Sequence, residues 1–179
     1  MTTYPTDLSN NQWQIISKKF DTERKRKYDL REIANGILYL VKTGCQWRML
    51  PGDFAPWKIV YYYFSAWKKK GVWEDIHELL VEKVRVLYGK NEEPTVGIID
   101  AQSVNNTLVS SEDKSFDAGK KIKGIKRHII VDTLGMILAV VIQGASVQDR
   151  DGATSTIEKM TGSWNLQSIF KNKAKRNEK

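Results

Sequence analysis

The sequence predicts an α+β protein in which an N-terminal bundle of helices precedes a set of antiparallel strands. Apolar residues recur at helical spacing up to about residue 90. The β-branched runs VGIID, KRHIIVDT and MILAVVIQ follow Pro94, and turn residues separate them. With 179 residues, 41% of them hydrophobic, the chain is long enough for one full domain, or for a small domain joined to part of another.

Four helices are predicted in the first 90 residues. Ser9 as N-cap and Gln12 three positions later form a capping box, so the first helix starts there and reaches about Phe20. Gly44 closes the second helix, whose apolar face is Leu30, Ile33, Ala34, Ile37, Leu38 and Val41. The third runs from near Pro56 to Gly71. The fourth ends near Gly89, and its apolar face is Trp73, Ile76, Leu80, Val84 and Leu87.

The second and third helices suggest a helix-turn-helix unit. The segment that joins them, GCQWRMLPGDFA at 44–55, is much longer than the three or four residues of a tight turn. The alternative is a plain helical bundle in which the Trp and Tyr side chains form the core. We expect the third helix to meet DNA through its lysines, which are Lys58, Lys68, Lys69 and Lys70.

Beyond residue 94 the pattern becomes extended. VGIID predicts a buried strand that ends at Asp100, and the two runs that flank Leu134 and Gly135 predict a hairpin. A short helix is predicted from near Asp151 to Met160, and little fixed structure is expected from Lys171 onward.

Charge points to a polyanionic partner. The net charge is +8, and three segments concentrate the basic residues: 18–31 has seven against three acids, 114–127 six against one, and 171–179 five against one. Such clusters are typical of nucleic-acid-binding surfaces, although solvated lysine-rich loops would give a similar composition. An RNA-binding helical protein is a further alternative, which a preference for structured RNA over duplex DNA would favour.

Several other kinds of site are disfavoured. The lone Cys45 allows no internal disulfide and no Cys-rich zinc site, and His77 and His128 do not complete one. The run GKKIKGIK departs from a Walker motif because Ile125 follows Gly124. The start of the chain lacks the pattern of a signal peptide, and the run MILAVVI is too short to span a bilayer. These features predict a soluble, cytoplasmic protein with no membrane partner.

Longer motifs carry a family resemblance. In order they are LSNNQW, YDLREIANGILYLVKTGCQWRMLPGDFAPWKIVYYYFSAWKKKGVWEDI, GIIDAQSV, DAGKKIKGIKRHIIVDTLGMILAVVI and VQDRDGA. With them the chain resembles the transposases of bacterial insertion sequences of the number-five type. The resemblance implies a helical DNA-binding domain at 1–90 and a partial ribonuclease-H-like catalytic domain at 95–162. Such enzymes have a DDE triad, bind Mg²⁺, cut double-stranded DNA at transposon ends and join the freed 3′ hydroxyls to target DNA.

The resemblance assigns roles to individual residues. Asp100 matches the first triad aspartate, which makes it the candidate catalytic residue and metal ligand. A two-metal site for phosphoryl transfer needs carboxylates held rigidly, and Mg²⁺ prefers oxygen ligands. The candidate DNA contacts are Arg24, Lys25, Arg26, Lys27, Lys58, Lys68, Lys120, Lys121, Lys123, Lys126 and Arg127.

The remaining two triad acids are not found. No Asp or Glu lies between Glu158 and Glu178, and residues 163–179 read as a divergent basic tail. Asp132, Asp149 and Asp151 occupy positions usual for solvated or capping aspartates. We therefore expect a truncated, catalytically incomplete transposase, or alternatively a non-catalytic remnant that occupies or inhibits transposon ends.

The expected truncation has a consequence for packing. The strand of Asp100 is expected to be an open edge, and exposed edges invite pairing with other chains. We expect poor solubility, a homo-oligomer, or mixed assembly with a full-length transposase.

Overall fold

A computed structural model describes residues 4–21, 25–105, 115–119 and 121–171. The described residues form five α-helices and one mixed five-stranded sheet, so the predicted α+β class is confirmed. The chain divides into two compact units, Met1–Leu79 and Leu80–Lys179, and the boundary falls inside the fourth helix. None of the described helices is long and apolar enough to cross a membrane.

The four predicted N-terminal helices are present. They are α1 Asn10–Ile16, α2 Leu30–Thr43, α3 Trp57–Lys69 and α4 Val72–Leu87, with 3-10 turns at Ser17–Lys19 and Trp47–Met49. The capping box of α1 is confirmed: Gln12 N donates to Ser9 Oγ at 3.2 Å, and Ser9 N donates to Gln12 Oε1 at 2.8 Å. Gly44 ends α2 with φ of 68°, a left-handed conformation that favours glycine.

The core of the first unit is strongly aromatic. The ring of Trp67 lies 4.5 Å from that of Phe20 and 5.6 Å from that of Trp73, measured between centroids. Aliphatic side chains from α2 complete this core, among them Ile33 and Ile37, which are almost fully buried. Most of the tryptophans of this unit therefore stabilise the bundle, as the plain-bundle interpretation predicts.

The predicted apolar faces of α2 and α4 were wrong at their ends. Val41 is 67% exposed, and on α4 Leu80 and Leu87 are 41% and 82% exposed. Val81 and Arg85 are buried instead. The buried face of α4 therefore shifts by one residue in its second half, which belongs to the second unit. There Val81 joins a separate core, and Arg85 makes a buried ion pair with an aspartate.

The tight turn of a helix-turn-helix unit is absent between α2 and α3. Their connection runs from Gly44 to Pro56 and contains the 3-10 turn Trp47–Met49. The helical character of this region is confirmed, and its helix-turn-helix character remains a prediction.

The second unit is built on a sheet. Its strands are β1 Val96–Asn105, β2 Ser115–Asp117, β3 Ile122–Val131, β4 Ile137–Gly144 and β5 Ser168–Lys171. β3 pairs antiparallel with β1, β2 and β4, and β5 pairs parallel to β1, on the side of β1 away from β3. The predicted antiparallel strands and the β3–β4 hairpin are thus confirmed.

Two expectations about β1 were wrong. Asp100 does not end the strand, because pairing with β3 continues to Asn105. The first half of β1 is not an open edge either, because Val96–Ile99 pair with β5. The strand β5 lies within the segment expected to be a divergent tail, and Trp164 of the same segment is buried.

The predicted short helix is present as α5, Asp149–Thr161, and it packs on one face of the sheet. Its contact with β3 is very close at Gly152, where an added Cβ would lie 2.0 Å from His128 Nε2. The buried core between them contains Ile130, Leu138 and Met160.

Candidate functional site

Asp100 lies at the centre of the sheet and is exposed to solvent. It follows Ile99, which is opposite Lys171 of β5. On its other side Asp100 is opposite Ile129 of β3. Because side chains alternate along a strand, Asp100 and Gln102 point to the face opposite that of Ile99, whose side chain belongs to the core. The sheet thus fixes the backbone of this carboxylate while leaving its oxygens accessible.

Polar side chains surround the carboxylate. A shallow hollow is lined by Asp100, Gln102 and Arg127 together with Ile129. Arg127 Nη2 donates a hydrogen bond of 2.6 Å to Gln102 Oε1, and the side chain is therefore already held across the β1–β3 pair. A second hollow also includes Asp100, and Asp149 and Lys171 are among its lining residues. The surroundings of Asp100 are therefore mixed in charge.

The other aspartates considered at the sheet have structural partners. Asp132 is buried, its Oδ1 accepts hydrogen bonds from the backbone of Leu134 and Met136, and it pairs with Arg85. Asp132 therefore caps the hairpin turn, which is one of the two roles predicted for it. Asp149 Oδ1 lies 3.1 Å from Lys126 Nζ. Among the described residues, no group of three His, Cys, Asp or Glu side chains could hold a metal ion.

Lys126 departs from its predicted role. It is 5% exposed, its ammonium lies 3.3 Å from Asp117 Oδ2, and it donates a 2.7 Å hydrogen bond to Val147 O. A buried ammonium with these partners is not displayed to a DNA phosphate. Together with the bond from Ser103 Oγ to Asp117 Oδ2 at 2.7 Å, this cluster connects β1, β2 and β3 to the loop before α5.

The remaining predicted DNA contacts fall into three groups. Exposed side chains are Lys25, Lys27, Lys58, Lys68, Lys121 and Lys123. Partly buried side chains are Arg26, which pairs with Asp21 at 3.1 Å, and Arg127. Arg24 and Lys120 lie outside the described residues. Lys58 and Lys68 lie at opposite ends of α3, whereas Lys121 and Lys123 lie close together in sequence at the start of β3.

Sequence reasoning missed a hollow in the first unit, which we call the Trp57 hollow. It is lined by Gln46, Trp47, Arg48, Trp57 and Tyr61. The guanidinium of Arg48 lies 5.6 Å from the centre of the Trp57 ring, and Lys58 Nζ lies 5.8 Å from it. The available signal was the pairing of a basic with an aromatic residue in both WR and WK of this region.

Another hollow of the same unit has the opposite charge. Its lining includes Asp7, Asp29, Glu32 and Asp53, with Arg31 as the basic member. The phenol of Tyr4 donates a 2.8 Å hydrogen bond to Asp53 Oδ2, and this bond, with some desolvation and the charge of Asp53, raises the pKa of Tyr4. A polyanion would be repelled here.

Comparisons with known proteins cover most of the chain. Residues 8–77 match the family described as "Putative transposase of IS4/5 family (DUF4096)", and residues 91–170 match the family described as "Transposase DDE domain". The chain is similar to the "Insertion element IS402 uncharacterized 16.2 kDa protein" of Burkholderia cepacia, with 39% identity over 57 residues. That match covers 31% of this chain and 39% of the relative. No solved structure matches the chain.

Proposed function

Because the chain belongs to the DDE-type transposases of insertion sequences, we propose that it binds the double-stranded DNA of transposon ends and carries the first acid of the catalytic metal site. Its helical region of residues 1–90 supplies DNA binding, in a helix-turn-helix-like arrangement. Residues 95–162 supply the beginning of a ribonuclease-H-like catalytic domain, and the family match up to residue 170 supports including β5 in it. The cytoplasm, where cellular DNA lies in bacteria, is the proposed compartment.

The position of Asp100 carries this proposal. The carboxylate is exposed on a central strand, and the residue before it pairs with the parallel neighbour β5. The sheet order β4-β3-β1-β5, with three antiparallel strands followed by a parallel one, supports a ribonuclease-H-like arrangement. A rigid strand suits a metal ligand because it fixes the oxygen without closing access to substrate.

A divalent metal is general among transposases with this DDE domain, and we propose Mg²⁺. Asp100 offers one carboxylate, and Mg²⁺ at such sites takes one or two carboxylates together with substrate phosphates and water. The described residues supply no group of three metal-binding side chains, so they do not fit a complete two-metal site. Catalytic incompleteness of the chain by itself is part of this proposal.

Exposed basic residues of both units are the proposed phosphate contacts. Each neutralised phosphate of B-DNA contributes about −0.9 to the slope of log K against log salt. Replacing Lys25 and Lys27 together with glutamine should weaken binding of all duplex sequences and reduce the slope by up to about 1.8. An unchanged slope would place the contact surface elsewhere.

Iron-directed cleavage tests the role of Asp100. Fe²⁺ bound in place of Mg²⁺ is oxidised by added hydrogen peroxide, which is reduced to hydroxide and a hydroxyl radical that cuts the nearby backbone. The cuts are mapped by mass spectrometry of the full chain with duplex DNA present. We expect cuts in β1 that are lost in Asp100→Asn and kept in Asp151→Asn, an exposed acid of α5. Cuts that persist in Asp100→Asn would contradict a metal-binding role for Asp100.

The second candidate is a non-catalytic DNA-binding remnant that occupies transposon ends, as a homo-oligomer or in mixed assembly with a full-length transposase. It is favoured by the ion pairs of Asp132 with Arg85 and of Asp149 with Lys126, which already engage two further acids near the sheet. A cleavage assay on end-labelled transposon-end DNA with Mg²⁺ separates the two candidates. Cleavage by the wild-type chain that Asp100→Asn abolishes would exclude the remnant.

A further inference from the structure

We infer that the Trp57 hollow of the first unit accepts an unpaired base of the bound DNA, while Arg48 and Lys58 contact the phosphates beside that base. This inference rests on the proposed DNA binding and goes beyond it, because it assigns a base-stacking site to α3 and to the loop before it. The ligand class is a nucleotide lifted out of the duplex, and the contact requires no particular base.

The chemistry of the lining supports a nucleotide. Trp47, Trp57 and Tyr61 provide aromatic surface, and Tyr61 remains 47% exposed although its ring packs edge-on against Trp47 at 5.1 Å. Bases stack on such rings regardless of sequence, since every base has a π face. Trp57 and Tyr61 are four residues apart on α3, so their side chains lie on the same face of the helix.

Two cations at the Trp57 hollow are available for the phosphates on either side of a bound base. Arg48 and Lys58 both approach the Trp57 ring, at 5.6 and 5.8 Å from its centre, and both are exposed. Because both cations lie over the Trp57 ring in the free protein, a base that stacks on this ring displaces them from its face toward the phosphates beside it.

Charge favours the Trp57 hollow over the acidic hollow of the same unit as a site for a nucleotide. The described residues that line the Trp57 hollow include no acid, whereas Asp7, Asp29, Glu32 and Asp53 line the other. Both hollows contain aromatic side chains, so aromatic content alone does not distinguish them. A polyanion is attracted to the first and repelled by the second.

The test compares two labelled duplexes that carry equal numbers of phosphates. One has a single unpaired thymine, and the other has an abasic residue at the same position. Fluorescence anisotropy with the full chain measures both dissociation constants. We expect the thymine probe to bind about five- to 150-fold more tightly, the range that one stacked base gives on alanine substitution.

Matched variants connect this ratio with the hollow. Tyr61→Ala and Trp57→Leu should bring the ratio close to one, while Tyr61→Phe, which keeps the ring, should preserve it. Tyr62→Ala is the control, because Tyr62 is 64% exposed on the same helix and does not line the hollow. Arg48→Gln should weaken binding of both probes equally.

Several results would overturn the inference. Equal binding of both probes by the wild-type chain would remove the base contact and leave the proposed DNA binding intact. Loss of the ratio in Tyr62→Ala as well as in Tyr61→Ala would place the contact outside the hollow. A changed oligomeric state in Trp57→Leu with an unchanged ratio would assign the hollow to a protein contact. Failure to bind any duplex would instead contradict the proposed function itself.

Discussion

Replacing Gly152 with alanine should destabilise the second unit, because α5 and β3 approach so closely at this residue. An added Cβ would lie 2.0 Å from His128 Nε2, 2.2 Å from Cε1 and 2.5 Å from Cδ2. Real Cβ contacts are at least 3.0 Å, so the imidazole or α5 must move by about 1 Å or more. His128 is 1% exposed, which leaves its ring no solvent to move into.

The expected magnitude combines two opposing terms. Overpacking a core costs about 1–3 kcal/mol, and two packed elements with a buried ring place Gly152 at the upper end. Alanine in a helix interior gains up to about 1 kcal/mol over glycine. We therefore expect Gly152→Ala to lower the free energy of unfolding of the second unit by about 2 kcal/mol.

The assay must report on the second unit alone. Five of the six tryptophans lie in residues 1–79, so intrinsic fluorescence would follow mainly the first unit. Hydrogen exchange of peptides from β3 and α5, measured by mass spectrometry at increasing urea concentrations, gives the free energy of unfolding locally. Gly162→Ala is the control, because an added Cβ there meets only Lys159 O at 3.7 Å.

A double-mutant cycle tests the cause. With His128→Ala the imidazole is gone, and adding Gly152→Ala should then be neutral or stabilising by up to about 1 kcal/mol. Equal destabilisation by Gly152→Ala in both backgrounds would refute the steric argument. A wild-type-like stability of Gly152→Ala alone would also refute the steric argument.

Four further outcomes follow from local contacts. Lys126→Met leaves two carboxylates without their ammonium, so the free energy of unfolding of the second unit should fall by about 3–5 kcal/mol in the hydrogen-exchange assay. The slope of log K for DNA binding against log salt should stay unchanged. A smaller slope would show that Lys126 contacts a DNA phosphate after all. Arg85→Met leaves Asp132 of the hairpin turn buried and unpaired, so a similar loss of unfolding free energy is expected in the same assay. A loss below about 1 kcal/mol would show that water reaches the ion pair. Ser9→Ala should cost about 1 kcal/mol of first-unit stability in a urea titration followed by tryptophan fluorescence, and no change would mean that α1 contributes nothing to that unit. Because the pKa of Tyr4 is raised above its ordinary 10.0, its bond to Asp53 stabilises the fold below pH 10 and is lost as the pH rises past the raised value. Ultraviolet titration should show that Asp53→Asn lowers the pKa of Tyr4. An unchanged titration would contradict Asp53 as the cause of the raised pKa.

The sequence predicted elements whose causes are local. The capping box at Ser9 and the left-handed Gly44 depend on contacts within a few residues, so pattern alone located the start of α1 and the end of α2. The α-helix α1 ends at Ile16, before the predicted end near Phe20. The β3–β4 hairpin was predictable for the same reason, since its turn and its apolar runs are adjacent in the chain. The resemblance to transposases likewise depended on motifs that can be read in order.

The candidate site was predictable only in part. Asp100 was identified by its motif, but its place within β1 depends on how far β3 pairs with that strand. The burial of Lys126 depends on two carboxylates distant in sequence. Neither the end of β1 nor the burial of Lys126 can be predicted from a short stretch of sequence.

By itself the sequence determined the presence of the four N-terminal helices, α5 and the strands β1, β3 and β4, the caps at Ser9 and Gly44, and the family that the chain resembles. The tertiary structure decided which face of α4 is buried, that β5 covers the first half of β1, and that Arg85 and Lys126 lie inside ion pairs, although Lys126 was expected to contact DNA. The physical reason is the range of the interactions. Capping and turn hydrogen bonds are made between near neighbours, whereas strand pairing and the burial of charge depend on partners that only the folded chain brings together.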